Sequence, residues 1–172
     1  YIFYGGISID NIADVLLTGQ TVGSKFGISV SGAGDVNGDG YSDVVIGASG
    51  FNTNTGKAYI YYGGSSMDTI PDVTMNGSAL NDNFGISVSG AGDINGDGYS
   101  DVLIGADGAF MNYGEIKLFY GSTSMDNIPD FSNGGSTNSK LGHSVSAAGD
   151  LNGDGYSDFI AGAYGYNSST GI

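Results

Sequence analysis

The sequence is 172 residues long and 40% apolar, with 18 acidic residues against four Lys, no Arg, one His and no Cys, giving a net charge of −14. That length suits one domain of ordinary size, and the apolar share excludes a disordered acidic tail. So few basic residues exclude nucleic acid and anionic membrane surfaces as partners, since both are held through Lys and Arg, and no apolar run reaches the roughly 18 residues that a spanning helix needs.

Residues 1–25 open with YIFYGG (Tyr1 to Gly6) and read as the last two strands of a split unit. The start at Tyr1 reads as a processed product or as a segment of something longer. Residues 26–83 make the first whole unit. From Phe26, FGISVSGAG alternates over Ile28, Val30 and Ala33 as a half-buried strand, and an acidic loop follows. DVVIGA (Asp43 to Ala48) is a continuous apolar run suited to a strand buried on both faces. GFNTNTG is a turn, KAYIYYGG (Lys57 to Gly64) a third strand, SSMDTIP a connector ended by Pro71, and DVTMNG (Asp72 to Gly77) a short fourth strand.

Residues 84–140 repeat this unit, and residues 141–172 repeat its first half. Asp35 to Asp93 is 58 residues and Asp93 to Asp150 is 57, a period of the length found in propeller blades. The predicted fold is all-β: propeller blades of four antiparallel strands, three repeats of about 58 residues, and one blade split between the N- and C-termini. The two ends match each other, Tyr1 standing opposite Tyr59 and Ile172 opposite Lys57 when the units are superposed.

The acidic loop occurs three times, as DVNGDGYSD (Asp35 to Asp43), DINGDGYSD (Asp93 to Asp101) and DLNGDGYSD (Asp150 to Asp158). Oxygen-bearing side chains fall at positions 1, 3, 5 and 9, and Gly at positions 4 and 6 lets the backbone turn tightly. Asp, Asn, Asp, a backbone carbonyl near the Tyr and a final Asp offer most of the six to eight oxygens that Ca²⁺ takes, water completing the shell. Position 12 is Ile46, Ile104 or Ala161, not the Glu of an EF-hand, and the flanks alternate as strands do. Turn chemistry alone accounts for one or two Asn, Asp or Gly residues. It does not account for four donors kept three times while Val36, Ile94 and Leu151 vary. Nine of the 18 acids lie in these loops, so three Ca²⁺ would bring the net charge from −14 to about −8 and relieve self-repulsion.

These residues resemble the FG-GAP repeat of integrin alpha subunits. Phe26-Gly27 and Phe84-Gly85 match its FG, and Gly47-Ala48, Gly105-Ala106 and Gly162-Ala163 match the GA, with the loop between them. The resemblance implies β-propeller blades with Ca²⁺ in the loop joining the first two strands. It implies as ligands Asp35, Asn37, Asp39, the Tyr41 carbonyl and Asp43; Asp93, Asn95, Asp97, the Tyr99 carbonyl and Asp101; and Asp150, Asn152, Asp154, the Tyr156 carbonyl and Asp158. This sequence departs from the pattern where Ser49, Asp107 and Tyr164 stand for the Pro of GAP, and Leu141-Gly142 for the third FG. Three units do not enclose a propeller channel.

His143, the one His, stands where Ile28 and Ile86 stand, and reads as a packing or surface residue. Asp10/Asp14, Asp68/Asp72 and Asp126/Asp130 read as solvated turn acids, with a bridge between units or a second cation as alternatives. Tyr59, Tyr61 and Tyr62 offer a sugar-stacking surface or, more simply, favoured strand residues. Asn76 and Asn167 head glycosylation sequons. The expected function is a non-catalytic, calcium-binding extracellular or cell-surface protein of adhesion, scaffolding or assembly. Its expected partners are itself or neighbouring repeats, with a protein or carbohydrate ligand. The alternatives are a head-to-tail filament or long array, and an accessory propeller of a secreted polysaccharide- or lipid-acting enzyme. With one Glu (Glu115), one His and no Cys, acid–base and nucleophilic sites have few residues to draw on.

Overall fold

A computed structural model describes residues 1–171, with the backbone alone at Ser168 and Ser169. Ile172, placed opposite Lys57 by the sequence, lies outside the described residues. The chain forms two antiparallel four-stranded sheets and a two-stranded one. The first sheet is β1 (Ser29–Gly34), β2 (Asp43–Ala48), β3 (Lys57–Tyr61) and β4 (Val73–Asn76), paired in chain order. The second is β5 (Ser87–Gly92), β6 (Asp101–Ala106), β7 (Glu115–Phe119) and β8 (Phe131–Gly134), paired likewise. β9 (Leu141–Gly149) and β10 (Asp158–Ala163) form the third.

The apolar runs become the sheet centres because both of their faces are covered. All six residues of β6 are buried, whereas the edge strand β8 (FSNG) is exposed throughout. The first strand begins at Ser29, not at Phe26, since Gly27 takes a positive φ of 82° and bends the chain before it. The predicted turn after β2 is a single tight turn in which Asn52, Thr53 and Asn54 hold left-handed φ of 45°, 55° and 58°. In the second unit the same positions are Phe110, Met111 and Asn112.

The sheets stack face to face in chain order. Ala33, Val36, Val45, Ile60 and Met75 of the first unit share one core with Phe84, Val88, Val102, Ile104 and Phe119 of the second. Ala91, Leu103, Ile116 and Leu118 meet Val145, Phe159 and Ala161 in the same way. Each Val, Leu, Ile, Met or Phe side chain among them contributes about 1.5–3 kcal/mol on full burial, so these interlayer faces hold the stack together.

The FG and GA motifs touch across layers. A Cβ on Gly47 would lie 2.0 Å from the Gly85 carbonyl oxygen, and one on Gly105 would lie 1.8 Å from that of Gly142. Only glycine permits that approach. The first strands β1, β5 and β9 also run side by side, with Ser29 Oγ accepting from Val88 N at 3.0 Å and Ser89 Oγ accepting from Ala147 N at 3.3 Å.

Residues 1–17 lie on the outer face of the first sheet. Ile2 pairs with Val15, and these two with Leu17 pack on Ile46, Tyr59 and Tyr61. Ile2, Val15 and Leu17 thus repeat the roles of Ile60, Val73 and Met75 one layer further along. The N-terminal half-unit and the β9–β10 half-unit stand at opposite ends of an open stack, and among the described residues no strand joins them.

Candidate metal centre

Each acidic loop links the first two strands of a unit, and all three adopt one hydrogen-bond network. Asp35 Oδ1 accepts from Gly38 N at 2.7 Å and Asp39 N at 3.1 Å, while its Oδ2 accepts from Gly40 N at 2.8 Å. Gly38 and Gly40 hold positive φ of 77° and 87°, which turns these amides inward. Asn37 Oδ1 accepts from Asp39 N at 2.9 Å, and Asn37 Nδ2 donates to Asp39 Oδ2 at 2.9 Å. Asp39 Oδ1 accepts from Tyr41 N at 2.9 Å. Asp93, Asn95 and Asp97 repeat this set, as do Asp150, Asn152 and Asp154. At Asp150 the N–H of Gly155 above all, aided by those of Gly153, Asp154 and Asn152, holds the carboxyl below its ordinary range against the opposing desolvation.

The position-nine acids sit beneath the loop. Asp43 and Asp101 are 1% and 0% exposed, and each uses both oxygens on backbone amides. Asp43 Oδ2 accepts from Val36 N at 2.8 Å and Oδ1 from Gly63 N at 2.7 Å. Asp101 accepts from Ile94 N at 2.8 Å and Gly121 N at 2.9 Å. Asp158 accepts from Leu151 N at 2.7 Å. Burial raises the Asp43 carboxyl and pushes Asp101 up to about 6, outweighing the two amides that each accepts from.

Among the described residues, no three His, Cys, Asp or Glu side chains are already drawn together at metal-binding separation. The donor chemistry nonetheless fits a hard cation. A carboxylate offers about four lone-pair positions; Asp35 spends three on amides, and Asp39 and Asp43 spend two each. Oxygens remain on all three, on Asn37 and on the Tyr41 carbonyl, with no nitrogen or sulfur ligand in the loop, as Ca²⁺ prefers.

The loops are also joined to one another. Ser100 N donates to the Asp35 carbonyl at 3.0 Å, and Ser157 N donates to that of Asp93 at 2.9 Å.

Outside the loops, the connector acids cap turns. Asp14, Asp72 and Asp130 accept from Tyr4, Tyr62 and Tyr120 N at 2.6, 2.7 and 2.7 Å. Asp10, Asp68 and Asp126 accept from the amide two residues on. Tyr59 and Tyr61 are each 3% exposed, so these two rings fill the core and form no sugar-stacking face. Asn76 is exposed at the end of β4, whereas the Asn167 sequon runs into side chains outside the described ones.

Two constellations escaped the sequence reading. His143 Nδ1 meets the buried Asp107 at 2.8 Å, Asp107 also accepts from Asn83 Nδ2 at 2.8 Å, and the imidazole packs edge-on to Tyr164. Lys117, buried in the second sheet, reaches Glu115 at 3.5 Å and Ser78 Oγ at 2.9 Å. The available signal was divergence between repeats, since Ser49 stands for Asp107 and Ile86 for His143.

No curated protein matches the chain significantly. The family described as FG-GAP repeat matches residues 26–61, 84–117 and 141–172. The loops, the Gly47–Gly85 and Gly105–Gly142 contacts and the first two strands of each unit fall within those segments, and the chain belongs to the FG-GAP repeat family.

Proposed function

We propose that this chain is a non-catalytic, calcium-binding extracellular repeat module serving adhesion, scaffolding or assembly, with Ca²⁺ rigidifying the loop between the first two strands of each unit. The supporting observation is the identity of the three loop networks together with their linkage through Ser100 and Ser157. Asp35, Asn37, Asp39, the Tyr41 carbonyl and Asp43 hold the first ion, and the matching residues of the other loops hold the second and third. A bound ion supplies positive charge against three carboxylates. The loop residues hold its ligands in place through the amides of Gly38, Asp39 and Gly40. The family supports an extracellular, non-catalytic setting, FG-GAP repeats being typical of surface proteins.

Thermal unfolding in calcium and in EGTA tests the reading. At free Ca²⁺ about tenfold above the dissociation constant, each site adds roughly 1.4 kcal/mol and three independent sites about 4 kcal/mol. EGTA then lowers the Tm by roughly 10 °C, and Asp39→Ala or Asp97→Ala removes about a third of the effect. Superposable curves in calcium and chelator overturn it.

A further inference from the structure

Both interlayer contacts in this chain are built from the same pair of faces. A forward face of Ala33, Val36 and Val45 meets a backward face of Val88, Val102 and Ile104, and Ala91, Ile94 and Leu103 meet Val145, Phe159 and Ala161. Among the described residues, one forward face and one backward face have no such neighbour. The forward face is Ala148, Leu151 and Ile160 on the β9–β10 hairpin, where Leu151 is 70% and Ile160 56% exposed. The backward face is Val30, Val44 and Ile46 on the first sheet, where Val30 is 66% exposed. It lines a cleft of about 670 Å³ closed on its other side by Tyr1, Ile2 and Leu17.

We infer that the occupant of this cleft is the β9–β10 hairpin of a second copy of the chain, added head to tail and completing one four-stranded sheet with the first copy's N-terminal segment. This gives a partner and a register to the self-assembly expected above, and it does not depend on calcium.

Three features beyond apolar character select that hairpin. The first is strand register. Val45 pairs with Ile60 between β2 and β3, which places Ile160 of the incoming hairpin opposite Ile2. The incoming β10 then finds on Ile2 a partner strand that it does not have among the described residues. The second is the serine link between first strands. Ser29 and Ser31 Oγ accept from Val88 and Gly90 N, so Ser144 and Ser146 stand ready to accept from Val30 and Gly32 N. The third is the loop linkage. A Cβ on Gly38 or Gly96 would meet the ring of Tyr99 or Tyr156 of the next loop at 2.5 Å, whereas Gly153 has nothing within 4 Å. Gly153 of one copy thus receives Tyr41 of the next, and the Asp150 carbonyl receives Ser42 N. Such an interface is heterologous, so it propagates into a ring or a fibre.

Two surface substitutions test the inference, because Ile160 and Val30 are exposed in the single chain and a charge there leaves its own core intact. The 172-residue chain is measured by light scattering at tens of micromolar. The wild type is expected above monomer mass, and Ile160→Asp and Val30→Asp are each expected as monomers with unchanged circular dichroism. Mixed together, they are expected to stop at a dimer, since each variant keeps the one face that the other has lost. Register is read separately by mixing Ile2→Cys with Ile160→Cys chains, which are expected to give a disulfide-linked dimer on mild oxidation. An assembling wild type whose mass ignores both charges, or whose cysteines link only in another pairing, overturns the inference and leaves self-association standing. A monomeric wild type overturns both. A monomer with the Val30 and Gly32 amides protected from exchange assigns the cleft to the chain's own hairpin and overturns the second copy.

Discussion

The Tyr99 ring lies against Gly38 of the preceding loop, so closely that a Cβ on Gly38 would come within 2.5 Å of its Cε1 atom. Tyr156 lies on Gly96 in the same way. Glycine at loop position four is therefore required twice over, by its left-handed backbone and by the ring from the next unit.

That double requirement separates three substitutions that look alike in the sequence. In the single chain, kept monomeric by Val30→Asp, Gly153→Ala meets backbone strain alone and costs about 1 kcal/mol. Gly38→Ala and Gly96→Ala must also displace a Tyr ring, and overpacking adds roughly 1–3 kcal/mol. Urea titration of the three variants is expected to rank Gly153→Ala mildest; equal losses would show that the ring moves freely.

Asp101 predicts a pH dependence that reverses with calcium. Its carboxyl is raised from 3.8 to about 6 by burial, so the folded state binds its proton more tightly than the unfolded state does. In chelator, its contribution to stability is complete below the ordinary carboxylate range and is lost as pH rises through about 6. With calcium the ionised carboxylate is the ligand form, and stability rises over the same window. Unfolding free energies of wild type and Asp101→Asn across that window, with calcium and with EGTA, check both slopes. A wild-type slope in chelator equal to that of Asp101→Asn would remove Asp101 as its source.

The connector acids behave as turn caps, and their replacement separates stability from metal binding. Asp72→Ala loses the 2.7 Å bond to Tyr62 N and is expected to cost about 1 kcal/mol. Calcium affinity, measured by calorimetry, is expected to stay at the wild-type value. A drop in the number of bound ions would make Asp72 a ligand.

Ser49 is fully buried, and its Oγ has no hydrogen-bond partner among the described residues. Removing an unsatisfied buried hydroxyl relieves desolvation worth about 1–3 kcal/mol, less the small cavity left behind. Ser49→Ala is therefore expected to match or exceed wild-type stability in chemical denaturation. A clear loss would reveal a partner for that hydroxyl.

The sequence by itself determined what is local and periodic. Alternation over Val30 and Ala33, the apolar runs at Val44–Ile46 and Val102–Ile104, and three loops at one spacing placed the strands, their order and the candidate ligands, because period and turn chemistry act between residues close in the chain. Only the tertiary structure decided which way each carboxylate faces. Asp39 lies at the loop surface while Asp43, four residues on, is drawn beneath it by the amides of Val36 and Gly63. It likewise set Tyr99 on Gly38, joined Asp107 to His143 across two layers, and sank Tyr59 and Tyr61 into the core. Those outcomes depend on how one sheet rests on the next, bringing together residues tens of positions apart, and no local pattern encodes that stacking.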